Sequence, residues 1–319
     1  MRNQIINKII WLLPLLAILI TSLPATKTGY VASIPSQPSS FGEQWGLSTI
    51  MAPQAWEITS GESDVLVAIL DTGIDQTHED LVDKVIADVN FTDSQTVDDV
   101  HGHGTHIAGI ISAADDAAGI TGLAYNSSLM NVKVAEDDGS VDPATVAKGI
   151  MWAVDNGANV VNISLTITKP SSTLEDAVNY AWDKGAVIIA AAGNNFSSTP
   201  VYPAAYPNVI AVAATDKDDR LPRWSNRGDW VSLAAPGVDI YSTLPGDDYG
   251  YQSGTSQAAA LVSGEAALLF TIATDTNGDG NVNDEIRHAI ETSCDEVEQD
   301  GLAKGRINIL RAVTAMLPS

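Results

Sequence analysis

Five short apolar runs, at 65–70, 129–134, 159–163, 186–192 and 209–213, recur along this chain, and segments with helical spacing separate them. Each run is continuous rather than alternating, as expected of a strand buried on both faces. Between them, 105–113, 143–156 and 174–184 repeat apolar residues at helical intervals, and Gly157 and Gly185 stand where helix C-caps belong. Strands alternating with helices predict an α/β fold of three layers, a mostly parallel central sheet with helices on both faces. Reactive groups in such folds gather at the carboxyl ends of the strands.

Composition narrows the partners. A formal charge of −24 would be repelled by phosphate backbones and anionic lipid, so nucleic acid and peripheral membrane surfaces drop away as ligands. A hydrophobic fraction of 45% with 18% charged residues is that of a packed protein, not a disordered acidic tail. The single cysteine, Cys294, cannot form an internal disulfide and has no activating neighbour, so it reads as a packed residue. The surplus of carboxylates makes Ca²⁺ the natural cation for such a chain, although most of them need only keep the surface soluble.

At the N-terminus, Arg2 and Lys8 precede twelve residues from Ile9 to Ile20 that are all apolar or proline, and small or polar residues follow to Ala25. This is the pattern of a secretory signal peptide, predicted at 1–25. The run is shorter than the roughly 20 residues a bilayer span needs, so an uncleaved anchor is the weaker alternative. The Ser/Pro-rich stretch 26–40 reads as an extended arm, and 41–319 as one domain without internal repeats. The expected address is extracellular, with no stable membrane association after cleavage.

Three segments place reactive side chains at predicted strand ends or helix starts. Asp71 lies in Asp71-Thr72-Gly73-Ile74-Asp75, His103 in His103-Gly104-Thr105-His106, and Ser256 in Gly254-Thr255-Ser256-Gln257-Ala258-Ala259. A serine hydroxyl is a weak nucleophile until an imidazole takes its proton, and a buried carboxylate fixes the imidazole's tautomer. A serine at a helix N-terminus also sets backbone N–H groups beside developing negative charge. His101, His103 and His106 are close in sequence, yet without a cysteine or a His-Glu-x-x-His pattern they do not make a zinc site.

Taken together and in this order, the three blocks resemble the subtilisin-like serine peptidases. The resemblance extends to Ala52-Pro53-Gln54-Ala55-Trp56, Ala190-Ala191-Ala192-Gly193-Asn194 and Ala235-Pro236-Gly237. It implies an endopeptidase with Asp71, His103 and Ser256 as its triad; the order is subtilisin's own, so a known template is being applied. It also implies that Asn194, which alone would read as a turn residue, donates to the oxyanion with the Ser256 N–H. Ser164-Leu165-Thr166 and Ala191-Ala192-Gly193 would form the two walls of an extended groove for a polypeptide substrate. Val201 would floor the S1 pocket, favouring small or medium apolar P1 side chains, and Tyr202-Pro203 resembles the family's cis-proline turn. A monomer is expected.

The resemblance has departures. Gln257 replaces the usual methionine after the nucleophile, Ala260-Leu261 replaces a usual Pro-His pair, and Thr166 replaces a glycine of the groove wall. A crowded groove leaves open a non-catalytic peptide-binding relative as the alternative. The 26–40 stretch is also too short for the folded propeptide usual in the family. For Ca²⁺, the resemblance implies Asp80 and Asp116 as ligands of a strong site, with Asp83, Asp93, Asp98 and Asp99 as a weaker second set. Independently, Asp275, Asn277 and Asp279 occupy positions one, three and five of an EF-hand-like loop with Gly280 at six. Position twelve is Ile286 rather than a carboxylate, so the loop is incomplete and an Asx-rich turn before a helix is the competing reading.

Overall fold

A computed structural model describes residues 40–297 and 304–317. The expected signal peptide, and the expected arm up to residue 39, lie outside the described residues. Seven strands form one sheet: β1 (Leu66–Asp71), β2 (Val85–Asn90), β3 (Ser128–Lys133), β4 (Val160–Ile163), β5 (Val187–Ala191), β6 (Val209–Thr215) and β7 (Leu233–Pro236). Their order is β2-β3-β1-β4-β5-β6-β7, and every neighbouring pair is parallel. A separate antiparallel ribbon pairs β8 (Ile240–Leu244) with β9 (Asp248–Gln252).

The helices are α1 (Trp45–Thr49), α2 (Ala52–Ala55), α3 (His103–Ser112), α4 (Pro143–Asp155), α5 (Ser172–Asp183), α6 (Thr255–Phe270), α7 (Asn283–Thr292) and α8 (Ile309–Ala315). The sheet separates two apolar cores. Val67 and Ile69 of β1 join the core built with α3, α6, α7 and α8, while Ala68 and Leu70 join the core built with α4 and α5. That alternation is the pleat's period of two with both faces covered. The predicted three-layer α/β fold is the fold observed.

Local chemistry sets the element ends. Asp142 caps α4 by accepting from Ala144 N (2.8 Å) and Thr145 N (3.2 Å), with Pro143 in the first helical position. Gly157 and Gly185, at φ 92° and 86°, end α4 and α5 in the left-handed conformation that only glycine adopts without strain. The peptide bond Tyr202-Pro203 is cis. α6 is buried along fifteen of its sixteen residues, through small side chains such as Ala258, Ala259, Ala260 and Gly264. No helix among the described residues is long and apolar enough to cross a membrane.

From β1 the chain goes to β2 and β3 on one side, and β4 to β7 extend on the other, so the strand order reverses at β1. The carboxyl end of β1 is therefore the switch point where a crevice opens in folds of this kind.

Candidate active site

Asp71 is the last residue of β1 and is fully buried. Its Oδ1 accepts from His103 Nδ1 at 2.7 Å and from Thr72 N at 2.8 Å. A carboxylate can only accept from the ring, so Nδ1 carries the hydrogen and Nε2 is left as the basic nitrogen. His103 is the first residue of α3, brought against β1 by an unusually close approach: a Cβ on Gly104 would lie 2.1 Å from Gly73 O. Only glycine fits there. Burial pulls the His103 pKa down, but the Asp71 charge and hydrogen bond, with a smaller contribution from Asp99, outweigh it, and the net shift is upward.

Ser256 is the second residue of α6. The β1–β4 register pairs Leu70 with Ile163, which sets Ser164 level with Asp71. Ser164 is bound to the serine twice: Ser256 Oγ donates to Ser164 O (3.1 Å), and Ser164 Oγ donates to Ser256 O (3.1 Å). The three reactive residues thus meet at the carboxyl ends of β1 and β4. In this arrangement the Ser256 hydrogen is given to a carbonyl rather than to the imidazole.

Asn194 follows β5 and is exposed. Its Oδ1 accepts from Thr255 N (3.0 Å) and Thr255 Oγ1 (2.9 Å), which fixes the amide and leaves Nδ2 as the end available to a ligand. Thr255 was not singled out in the sequence; its place directly before Ser256 was the signal available. It also accepts from Gly193 N (2.9 Å), so one side chain ties the groove wall, Asn194 and the start of α6 together.

The groove residues fall on opposing segments. Ile167 N donates to Tyr202 O and Tyr202 N to Ile167 O, both at 2.8 Å, stitching the end of Ser164-Leu165-Thr166 to the turn carrying Val201. Val201 is 7% exposed and packs in the α4–α5 core. Ala191 and Ala192 are buried, and Gly193 faces Thr166 closely enough that a Cβ on the glycine would lie 3.4 Å from Thr166 Cγ2. Gln257 is buried, its amide donating to Gln252 Oε1 (3.2 Å), and Leu261 is packed in the core.

Of the metal candidates, Asp80, Asp116, Asp275, Asn277 and Asp279 share no hydrogen bond with Asp71, His103 or Ser256 among the described residues. Asp80 is fully buried; Oδ2 accepts from Ile120 N (2.9 Å), while Oδ1 has no hydrogen-bond partner among the described residues. Burial holds its pKa above the ordinary value, and nearby Asp116 adds to the rise. Asp116 is exposed and accepts from Ala118 N (3.0 Å). In the other loop Asp275 accepts from Gly278 N and Gly280 N, Asn277 Oδ1 from Asp279 N, and Asp279 Oδ1 from Asn281 N. Among the described residues no three His, Cys, Asp or Glu side chains converge on one point. Asp99, one of the weaker calcium candidates, has its two oxygens occupied by five hydrogen bonds from protein donors. Cys294 is half-buried with its thiol pushed up to about 12 by burial, consistent with an inert packed residue.

Residues 62–306 match the model of the subtilase family. The chain is 46% identical over 277 residues to the thermophilic serine proteinase of Bacillus sp. (strain AK1), an alignment covering 86% of this chain and 67% of that protein. It is 44% identical over 283 residues to thermitase of Thermoactinomyces vulgaris, covering 88% and 99%. Subtilisin BL of Lederbergia lenta is 42% identical over 226 residues, covering 70% and 83%.

Proposed function

This chain belongs to the subtilase family and is a serine endopeptidase, and from that premise we propose that it cuts polypeptides by acyl transfer with Ser256 as nucleophile, His103 as general base and Asp71 as the group that orients the imidazole. The observation that carries the reading is the 2.7 Å bond between His103 and Asp71, with Ser256 held on the adjoining strand end by its paired bonds to Ser164. Ser256 Oγ turns to His103 Nε2 and attacks the scissile carbonyl; Nε2 takes the proton and returns it to the leaving amine, and water activated by the same nitrogen then hydrolyses the Ser256 ester to free the enzyme. Asn194 Nδ2 and the Ser256 N–H would stabilise the oxyanion, the Asn194 amide being held in advance by Thr255.

The substrate backbone would lie along Ser164-Leu165-Thr166 and Ala191-Ala192-Gly193. Buried Val201 supports a shallow S1 pocket taking Ala, Val or Leu at P1. A peptide library in which Phe or Tyr ranks first would reject that preference.

Ca²⁺ is the proposed structural cation. The fully buried Asp80, with one oxygen lacking a hydrogen-bond partner, fits a hard cation with Asp116 and backbone carbonyls beside it. The all-oxygen set Asp275, Asn277 and Asp279 is a second, weaker candidate. When bound, the ion would neutralise carboxylates and tie loops together. The leader at 1–25 supports export of a catalytic unit, 41–319, that acts as a monomer.

The test is labelling of the purified protein with a fluorophosphonate probe, in Ca²⁺ and in excess chelator, with Ser256→Ala as control. Labelling that requires Ser256, together with a melting temperature lowered by chelator, is expected. A folded protein that does not label would instead be the non-catalytic peptide-binding relative, the alternative that the substitution of Thr166 in the groove wall left open.

A further inference from the structure

His103 occupies an electrostatically awkward place. As the first residue of α3 it lies at the positive end of a ten-residue helix, where the dipole and the free N–H groups oppose a second positive charge. A general base that must hold a proton during the reaction needs that field cancelled. The Asp71 bond cancels part of it, yet among the described residues only one Asp71 oxygen is engaged: Oδ1 takes both His103 Nδ1 and Thr72 N, while Oδ2 has no hydrogen-bond partner.

Asp99 supplies a second buried carboxylate at the same helix end. It is 5% exposed. Oδ1 accepts from Thr72 Oγ1 (2.8 Å), His101 N (3.1 Å) and Gly102 N (2.7 Å), and Oδ2 from Thr105 N and Thr105 Oγ1 (both 2.8 Å). Thr72 directly follows Asp71, and its Oγ1 accepts in turn from Gly104 N (3.1 Å). Thr105 is the third residue of α3, and its Oγ1 accepts from Asp75 N (2.9 Å). The residue before α3, Gly102, has no side chain to cap the helix, so Asp99 and Thr72 serve that purpose from outside it.

We propose that Asp99 is a positioning residue of the catalytic site: it joins the turn carrying Asp71 to the helix carrying His103, and its charge offsets the helix end so that His103 can hold the proton taken from Ser256. The inference rests on the triad reading. The upward net shift of His103, to which Asp99 contributes, agrees with it.

The other charged and titratable groups around His103 do not replace Asp99. On its own helix His106 is neutral near pH 7, because burial takes it down to about 4. His101 lies alongside, with ring centroids 6.4 Å apart. From β3, Lys133 is buried with Nζ on Asp98 O (3.2 Å) and on Asp137 Oδ1 (2.8 Å), and it also donates to Thr72 O (2.5 Å). That ammonium, paired with Asp137, brings no negative charge to His103.

The experiment titrates His103 by NMR in isotope-labelled full-length Ser256→Ala protein, where no activity is needed, with and without Asp99→Asn. The amide keeps the size of the carboxylate and removes its charge. His103 is expected to lose about half to one pH unit in Asp99→Asn, with the acid limb of kcat/KM moving down equally in the otherwise unaltered enzyme and KM little changed. Thr105→Val, which removes hydrogen bonds but leaves the charge, is expected to lower the melting temperature without moving the His103 titration. An unmoved titration in Asp99→Asn, or an equal shift in Thr105→Val, would overturn the proposal and leave Asp99 a cap only. Should Asp99→Asn fail to fold, Asp99→Glu decides, since a retained charge must retain the titration and a fall in it refutes the role. Fluorophosphonate labelling of the unaltered protein separates this outcome from failure of the peptidase reading.

Discussion

Asn194 illustrates what a proposed oxyanion donor needs from its surroundings. A side-chain amide on an exposed loop would sample several rotamers; the two bonds from Thr255 hold the carbonyl end and leave the N–H groups for the oxyanion. Asn194→Ala is expected to lower kcat by roughly 10²–10³, the loss known for such a donor in subtilisin, with KM nearly constant. A loss confined to KM would instead make it a substrate-binding residue. Gln257 carries a second expectation. No thioether adjoins the nucleophile, so activity should survive hydrogen peroxide, whereas Gln257→Met should become peroxide-sensitive. Equal inactivation of the two proteins would place the vulnerable group elsewhere. The residues proposed to carry the chemistry were readable because their side chains are distinctive. Thr255 and Asp99 were not, because a threonine and an aspartate become positioning groups only through the partners they meet.

Among the elements, the strands buried on both faces were the most legible. β1, β3, β4, β5 and β6 begin and end within two residues of the apolar runs, since continuous β-branched sequence leaves few alternatives. The same criterion passes over β2, an edge strand with alternating burial, and β7, four residues closed by Pro236. It also passes over the β8–β9 ribbon, where polar Ser242 and Thr243 are buried and donate to carbonyls of α3. Edge and ribbon strands are defined by their partners rather than by a run. α3 starts at His103, two residues before its apolar periodicity, because the cap comes from Asp99 and Thr72 and not from the neighbouring sequence. α4, by contrast, carries its own signal in Asp142-Pro143. Asp142→Ala should reduce stability by about 1 kcal/mol, read as a lowered midpoint in urea with the slope unchanged. No change in midpoint would mean that water or a neighbour replaces the cap.

At the scale of the molecule, two buried ionisable groups set opposite ends of the stability profile. His106 is fully buried and neutral, its Nε2–H donating to Gly250 O (3.1 Å), and burial lowers its pKa to about 4. The unfolded chain binds this proton first, so stability is full above the unfolded value near 6.5 and falls as the pH drops toward 4, by about 3 kcal/mol. Glu265, within α6, is also fully buried; neither oxygen has a hydrogen-bond partner among the described residues, and burial raises its pKa to about 8. Here the folded chain binds the proton more tightly, so stability falls as the pH rises from about 4.5 to 8. Between about 4.5 and 6.5 the two slopes cancel, and from 6.5 to 8 Glu265 alone removes about 2 kcal/mol. Glu265→Gln should therefore raise the melting temperature at pH 8 and above, and leave it nearly unchanged at pH 5. An equal effect at both pH values would show that packing, not ionisation, governs the site.

The sequence by itself determined the fold class, the strands of the sheet centre, the residues proposed as nucleophile, base and orienting acid, and the departures at Thr166 and Gln257. These follow from local pattern and from side-chain chemistry that few residue types can provide. Tertiary structure alone decided which residues hold that chemistry in place. Thr255, Ser164 and Asp99 act across separations of 61, 92 and 27 residues, on Asn194, Ser256 and Thr72 respectively. It also decided that Asp80, Glu265 and His106 are buried. A carboxylate on the surface and one in the core are written with the same letter, and only the packing around each sets its burial, its partners and its protonation.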